Sequence, residues 1–120
     1  MAQIKINIVT NVGADTYEIV QFNGEMDKSS VPQVRSGLDD YLLNYGKNFL
    51  IFDLTNLEFI NSEGVGYLVS VYYRLLKQAK KFVIAGAKPQ VLDVFELVGL
   101  TKLINCYATV QDAVNSFQTT

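Results

Sequence analysis

The side chains that could do chemistry are concentrated between residues 53 and 66 of this 120-residue chain. The stretch reads Asp-Leu-Thr-Asn-Leu-Glu-Phe-Ile-Asn-Ser-Glu-Gly-Val-Gly and joins an apolar run to a segment with helical spacing. Ser62 is followed by Glu63, Gly64 and Gly66, so small residues leave backbone amides near the helix start open to an anion. The stretch predicts a helix N-terminus that presents a serine hydroxyl.

Catalytic interpretations of this stretch are weak. A nucleotide loop needs Gly-Lys-Ser/Thr four residues after a glycine, and no such lysine follows Gly64 or Gly66. Asp53 and Glu58 could be read as an acid/base pair, but we expect Asp53 to close a buried strand and Glu58 to lie in an exposed loop. Since the sequence has no histidine, Ser–His and Cys–His catalysis are excluded. We therefore expect a protein that is not an enzyme.

Composition restricts the possible partners and cofactors. Ten basic and twelve acidic residues give a net charge of −2, which removes the positive field that nucleic-acid binding needs. Without histidine, and with Cys106 as the single cysteine, we expect no metal, no other cofactor and no intramolecular disulfide. Cys106 fits a small buried apolar residue better than a reactive thiol. No signal peptide or spanning apolar run is present, so we expect a cytoplasmic protein without direct membrane insertion.

Strand patterns occur at five places along the chain. Isoleucines alternate with polar residues at the start, and a turn cluster at residues 11–15 leads to a second strand, which predicts a hairpin-like pair. The run at residues 49–54 is almost continuously apolar, as in a central strand buried on both faces. Residues 24–27 read as a loop. The predicted strands cover residues 4–8, 17–22, 49–54, 82–85 and 103–104.

Helical spacing and capping signals separate these strands. Ser30 with Gln33, and Thr109 with Asp112, have the spacing of capping boxes, and Gly99 is placed to close a short helix. The predicted helices cover residues 30–46, 62–79, 88–99 and 109–117.

The resulting order, β-β-α-β-α-β-α-β-α, predicts a single α/β domain over residues 1–120. Strands that alternate with helices are connected by crossovers that place the helices over a partly parallel sheet. We expect a mixed sheet of about five strands, the first pair hairpin-like, with about four helices.

Three segments resemble one known family. The run from Phe49 through Gly66 resembles the signature of the STAS domain, specifically that of bacterial anti-sigma factor antagonists. Residues 24–27, Gly-Glu-Met-Asp, resemble the family's loop after the second strand, and residues 97–103 resemble its Gly-Leu turn before the last strand. The resemblance covers nearly the whole chain and implies a STAS-type fold.

The resemblance also implies a function. In that family an anti-sigma factor with serine kinase activity phosphorylates a serine at the start of the second helix, and a phosphoserine phosphatase removes the phosphate. Ser62 occupies the matching position. Only the unmodified form would bind the anti-sigma factor, so the domain would be a partner-switching module in transcription regulation. The loop surface offered to the partner would then include Asp27, Asn61, Glu63, Gly64 and Gly66.

Two neighbours of Ser62 depart from the family's Asp-Ser-Ser/Thr-Gly pattern. Asn61 lacks the charge of the usual aspartate but can still accept hydrogen bonds and cap the helix, and Glu63 places a carboxylate beside the hydroxyl. Ser62 is therefore either only a helix N-cap or a cap that is also a phosphoacceptor. Asp27 is either a turn residue or part of the partner surface. The alternative function is a non-phosphorylated STAS subunit that scaffolds a larger complex, for example in lipid transport or signalling.

Overall fold

The computed structural model describes residues 3–9 and 16–118. Within these residues it contains five strands, four α-helices and one 3₁₀ turn. The strands are β1 (Ile4–Val9), β2 (Tyr17–Met26), β3 (Phe49–Ile60), β4 (Lys81–Ala85) and β5 (Cys106–Tyr107). The helices are α1 (Val31–Leu43), α2 (Ser62–Lys77), α3 (Pro89–Val98) and α4 (Val110–Gln118), with the 3₁₀ turn at Leu100–Lys102.

The strands form a single sheet in chain order. β1 is antiparallel to β2, and every later pair of neighbours is parallel. The predicted mixed sheet, its hairpin-like first pair and the element order are therefore confirmed. The turn predicted at residues 11–15 lies outside the described residues.

Helices cover both faces of this sheet. α1, α2 and α3 pack on one face around the rings of Phe22 and Phe52, whose centroids are 4.7 Å apart. α4 covers the other face, where Ala113 and Val114 pack with Ile51. Because β3 is buried on both sides, its first half needs apolar residues at successive positions. This explains the continuous apolar run in the sequence.

The prediction of a loop at residues 24–27 was wrong, because β2 continues to Met26. Irregular register along β2 and β3 allows the two strands to stay paired to Met26 and Ile60. Gly24 makes this path possible: it has a φ of +127°, and a Cβ there would lie 2.2 Å from the backbone oxygen of Gln3. Glu58 consequently lies within β3 rather than in a loop.

Two other details of the sequence interpretation were wrong. Ser30 is the N-cap residue of α1, but its side chain accepts no helix N–H, because its hydroxyl donates to the backbone oxygen of Glu25 at 2.7 Å. The last strand lies at Cys106–Tyr107 and not at residues 103–104, because Ile104 is buried in the core after the 3₁₀ turn.

The ends of the last two helices follow the sequence signals. Gly99 closes α3 with a φ of +82°, and the Thr109 hydroxyl accepts the Asp112 N–H at 3.0 Å. Burial raises the pKa of the Cys106 thiol to about 11, so this thiol is protonated at neutral pH.

Candidate functional site

The carboxyl ends of β2 and β3 lie side by side. Met26 is in register with Ile60, and the Asn61 N–H donates to the Met26 carbonyl at 3.2 Å. Asp27 directly follows Met26, while Ser62 directly follows Asn61. The loop after β2 and the start of α2 therefore meet at one edge of the sheet, the usual place for a binding crevice in α/β proteins.

Asn61, and not Ser62, is the N-cap of α2. The Asn61 Oδ1 accepts the N–H groups of Glu63 at 3.1 Å and Gly64 at 3.4 Å, and its carbonyl accepts the Val65 N–H. Ser62 is the first helical residue and its side chain is exposed. Its hydroxyl makes no hydrogen bond to the described part of the chain. The interpretation of Ser62 as a cap was wrong, and its hydroxyl is left without a structural role.

We expect Asn61→Ala to destabilise the protein by about 1 kcal/mol, because two N–H groups at the start of α2 lose their acceptor. Ser62→Ala removes no such acceptor and leaves the free energy of unfolding unchanged. Urea denaturation of both variants and the parent protein measures this difference. Equal destabilisation by the two substitutions would contradict the assignment of the cap.

Gly64 and Gly66 have different roles at the start of α2. A Cβ on Gly64 would lie 2.6 Å from the Ile60 Cγ1 and 2.8 Å from the Met26 carbonyl oxygen. A Cβ on Gly66 would meet nothing within 4 Å, and this residue is exposed. Gly64 is thus required for the close approach of α2 to the end of β2, whereas Gly66 leaves an open surface beside Ser62.

Asp27 organises the loop between β2 and α1. Its Oδ1 accepts hydrogen bonds from the Ser29 hydroxyl at 2.7 Å, the Ser29 N–H at 2.8 Å and the Ser30 N–H at 3.2 Å. The bond from the Ser29 hydroxyl does most to lower the pKa of the Asp27 carboxyl below its ordinary value of 3.8. All three contacts are local, so Asp27 is a turn-forming residue that fixes the loop next to Ser62.

The contribution of Asp27 to stability should depend on pH. Because its pKa is lower in the folded state, the carboxylate stabilises the fold above the ordinary carboxyl range, and this stabilisation is lost as the pH falls through the folded pKa. Asp27→Asn keeps the shape and an acceptor but does not titrate. We expect the melting temperatures of the parent protein and of Asp27→Asn, measured by circular dichroism, to converge as the solution is acidified. A constant difference at every pH would contradict this role.

Phe59 and Glu58 form the other border of the site. Phe59, next to Ile60 at the end of β3, is 46% exposed. Glu58 pairs with Lys88 at 3.7 Å, and its carbonyl accepts the Gln90 side chain at 3.5 Å, which ties the start of α3 to this edge. The exposure of Phe59 was not predictable from the sequence, because an isolated aromatic residue in a strand has no distinguishing pattern.

Asp53 and Glu58 do not form the acid/base pair considered from the sequence. The Asp53 Oδ1 accepts from the hydroxyl and N–H of Thr55, at 2.6 Å and 3.0 Å, whereas Glu58 pairs with Lys88. Across residues 3–9 and 16–118, no three His, Cys, Asp or Glu side chains cluster as metal ligands. No helix in this part of the chain is both long and apolar enough to span a bilayer.

Comparison with known families agrees with this geometry. The model of the STAS domain matches residues 5–113. The chain belongs to the STAS domain family. An anti-sigma-B factor antagonist from Listeria monocytogenes is 30% identical over 81 residues, which cover 68% of this chain and 70% of that protein.

Solved structures show the same STAS fold. A crystal structure of an anti-sigma factor antagonist from Mycobacterium paratuberculosis superposes with a TM-score of 0.84 and 24% identity, covering 98% of this chain and 96% of that chain. The phosphorylated form of the Bacillus cell fate determinant SpoIIAA gives a TM-score of 0.70 and 20% identity, covering 95% of this chain and 100% of that one. The STAS-type α/β fold predicted from the sequence is therefore confirmed.

Proposed function

We propose that this STAS protein is an anti-sigma factor antagonist regulated by phosphorylation of Ser62. The unmodified protein binds and sequesters an anti-sigma factor that is also a serine kinase. Phosphorylation releases that partner, and a phosphoserine phosphatase restores binding. The observation that carries the proposal is the exposed Ser62 hydroxyl, which stands at the start of α2 while Asn61 performs the capping.

The relatives support this proposal. The matched Listeria protein is named an antagonist of an anti-sigma factor, and the Bacillus protein with the same fold has been solved in a phosphorylated form. Sigma factors act in the cytoplasm, so the proposal places this protein there.

In the proposed reaction this protein is a substrate of the kinase. The Ser62 Oγ attacks the γ-phosphorus of ATP, its proton passes to a base of the kinase, and ADP leaves. The chain has no histidine to act as a base, and Asp27 is already engaged by Ser29 and Ser30. The phosphatase reverses the modification with water, releasing inorganic phosphate and regenerating the hydroxyl.

The local electrostatics allow a phosphate at Ser62 without unfolding of α2. A negative group at a helix N-terminus is favoured by about 0.3 to 1 kcal/mol, and the hydrogen bonds of the Asn61 cap do not involve the Ser62 hydroxyl. Glu63 adds a second negative charge next to the phosphate. The charge of the phosphate therefore acts on the surface presented to the partner, where the phosphate must be desolvated on binding.

Intact-mass analysis tests the assignment of Ser62 as the phosphoacceptor. The protein is incubated with ATP and each of a panel of anti-sigma factors, including the anti-sigma-B and anti-sigma F types. We expect one added phosphate with a cognate kinase and none for Ser62→Ala. Stable binding of an anti-sigma partner without any added phosphate would instead support the scaffold alternative, in which Ser62 is not modified.

A further inference from the structure

β1 is an edge strand of the sheet, and alternate residues of β1 direct their backbone groups away from β2. The Glu25 N–H donates to the Gln3 carbonyl at 2.9 Å, which makes these two residues a hydrogen-bonded antiparallel pair just before the start of β1. Residues that face the partner strand alternate with residues that face away from it. Ile4, Ile6 and Ile8 therefore direct their N–H and C=O groups outward from the sheet.

The outward backbone groups of Ile6 and Ile8 are available to an added strand. The Gln33 side chain donates to the outward carbonyl of Ile4 at 2.9 Å, which confirms the direction of these groups. In the part of the chain that the structure describes, nothing hydrogen-bonds to the outward groups of Ile6 and Ile8. Ile8 is 38% exposed, and Asn7 beside it is exposed as well. The edge thus offers two donors and two acceptors to solvent.

The composition of β1 does not protect this edge. Edge strands of soluble proteins are commonly protected by charged side chains, prolines or bulges, which hinder pairing with another chain. β1 contains no proline, its pairing with β2 has no register shift, and Lys5 is its one charged residue. From Ile6 to Val9 the strand is uncharged. The edge is therefore competent for strand pairing.

The flank of α1 above the edge leaves room for the side chains of an added strand. The Ile6 side chain packs on the α1 face of the sheet, and Ile8 points to the same face because side chains alternate. A Cβ on Gly37 would meet only the Ile6 Cδ1 within 4 Å, at 3.6 Å. Because Gln33 reaches Ile4 and Gly37 reaches Ile6, one turn of α1 advances alongside two residues of β1. The next turn of α1 lies at the level of Ile8.

This flank of α1 carries a negative charge. Asp40 follows Gly37 by three residues, so the two are neighbours on one side of the helix, close to the level of Ile8. Asp40 is exposed and forms no ion pair within the described residues. A two-fold pairing of two β1 strands would bring this flank together from both copies, with Asp40 facing Asp40. The charge therefore disfavours a second copy and favours a segment with a basic side chain.

We propose that the edge of β1 binds an extended segment of a partner protein in which a basic residue alternates with apolar ones. The segment hydrogen-bonds to the outward groups of Ile6 and Ile8. Its basic side chain lies opposite Ile8 and pairs with Asp40, while an apolar side chain opposite Ile6 fills the space beside Gly37. Strand addition of this kind combines affinity from the main chain with specificity from alternate side chains.

This surface is separate from the proposed phosphorylation site. Ile8 is in register with Val20 on β2, whereas Ser62 lies beyond the end of β2 at Met26. The path from Val20 to Met26 is roughly 20 Å, since a strand rises about 3.3 Å per residue. The segment can therefore bind whether or not Ser62 is modified, and the two proposals can fail independently.

The test is an NMR titration of the ¹⁵N-labelled full chain with the peptide acetyl-Ser-Val-Thr-Arg-Thr-Val-Ser-amide, whose pattern is the same in both directions. We expect saturable shift changes at Ile6, Ile8 and Asp40, and none at Ser62. The amides of Ile6 and Ile8 should gain protection from hydrogen exchange. The amide of Asn7, which faces β2, should not.

N-methylated peptides test the backbone pairing. In the bound segment the N–H groups of the arginine and the valines face β1, and those of the threonines face away from it. N-methylation of the arginine should therefore abolish binding, while N-methylation of one threonine should not. Equal loss of affinity with both peptides would contradict strand pairing.

A charge exchange tests the pairing with Asp40. Asp40→Lys should weaken binding of the arginine peptide at least about tenfold, while Asp93→Lys, the same change at an exposed site on α3, should not. A peptide with glutamate in place of arginine should bind Asp40→Lys more tightly than it binds the parent protein.

Three results of the titration would overturn the proposal: an absence of saturable shifts, shifts centred on Ser62, and equal binding of the glutamate and arginine peptides to the parent protein. The proposal is also overturned if the amides of Ile6 and Ile8 become protected as the concentration of peptide-free protein rises, because a second copy then covers the edge.

Discussion

Ser62→Asp is expected to weaken binding of the anti-sigma factor by at least about 100-fold, or about 2.8 kcal/mol, while the fold stays intact. The substituted carboxylate would lie at the start of α2 beside Glu63, on the surface that we propose binds the partner. The reason is that a carboxylate buried against a partner surface fitted to a neutral hydroxyl would carry a desolvation cost. Isothermal titration calorimetry gives the affinity, and circular dichroism checks the fold.

Two variants serve as controls for this result. Ser62→Ala keeps a small neutral side chain and should bind the anti-sigma factor like the parent protein. Thr101→Asp adds the same charge at an exposed position in the 3₁₀ turn and should also bind normally. If Thr101→Asp weakened binding as strongly as Ser62→Asp, net charge would explain the effect and the position of Ser62 would not.

Gly64→Ala is expected to destabilise the protein by about 1 to 3 kcal/mol, which is the usual cost of overpacking a well-packed site. Its Cβ would collide with the Ile60 side chain and the Met26 carbonyl, so α2 must move away from the end of β2. The displacement should also weaken partner binding, because the start of α2 and the loop after β2 form one surface.

Gly66→Ala is the matched control, two residues further along α2. Its Cβ has open space, so this substitution should stabilise α2 by about 0.5 to 1 kcal/mol through the higher helix propensity of alanine. Urea unfolding of the two variants gives the comparison. If Gly64→Ala and Gly66→Ala changed the free energy of unfolding by similar amounts, the close contact between α2 and β2 would not be the reason why residue 64 is glycine.

The regular parts of this fold were predictable from the sequence because burial leaves clear periodic patterns. The apolar run at residues 49–54 correctly indicated a strand covered on both faces, and the stripe after Ser62 correctly indicated α2. The continuation of β2 and β3 to Met26 and Ile60 was not predictable. It depends on irregular strand pairing and on the close approach of Gly24 to Gln3, which have no local sequence pattern.

The candidate site was predictable in its position but not in its hydrogen bonds. The change from strand to helix marked Ser62, and the family resemblance marked Asp27. The sequence did not decide between Asn61 and Ser62 as the cap, because asparagine and serine are both good caps and adjacent candidates differ only in where helical hydrogen bonding begins.

The most direct test of the phosphorylation switch uses protein with phosphoserine incorporated at position 62 during synthesis, so that no kinase is needed. Its affinity for the anti-sigma factor is compared by calorimetry with that of the unmodified protein and of phosphoserine protein treated with phosphatase. The account predicts tight binding of the unmodified protein, at least about a 100-fold loss with phosphoserine, and full recovery after dephosphorylation. Equal affinity of the phosphorylated and unmodified proteins would contradict it.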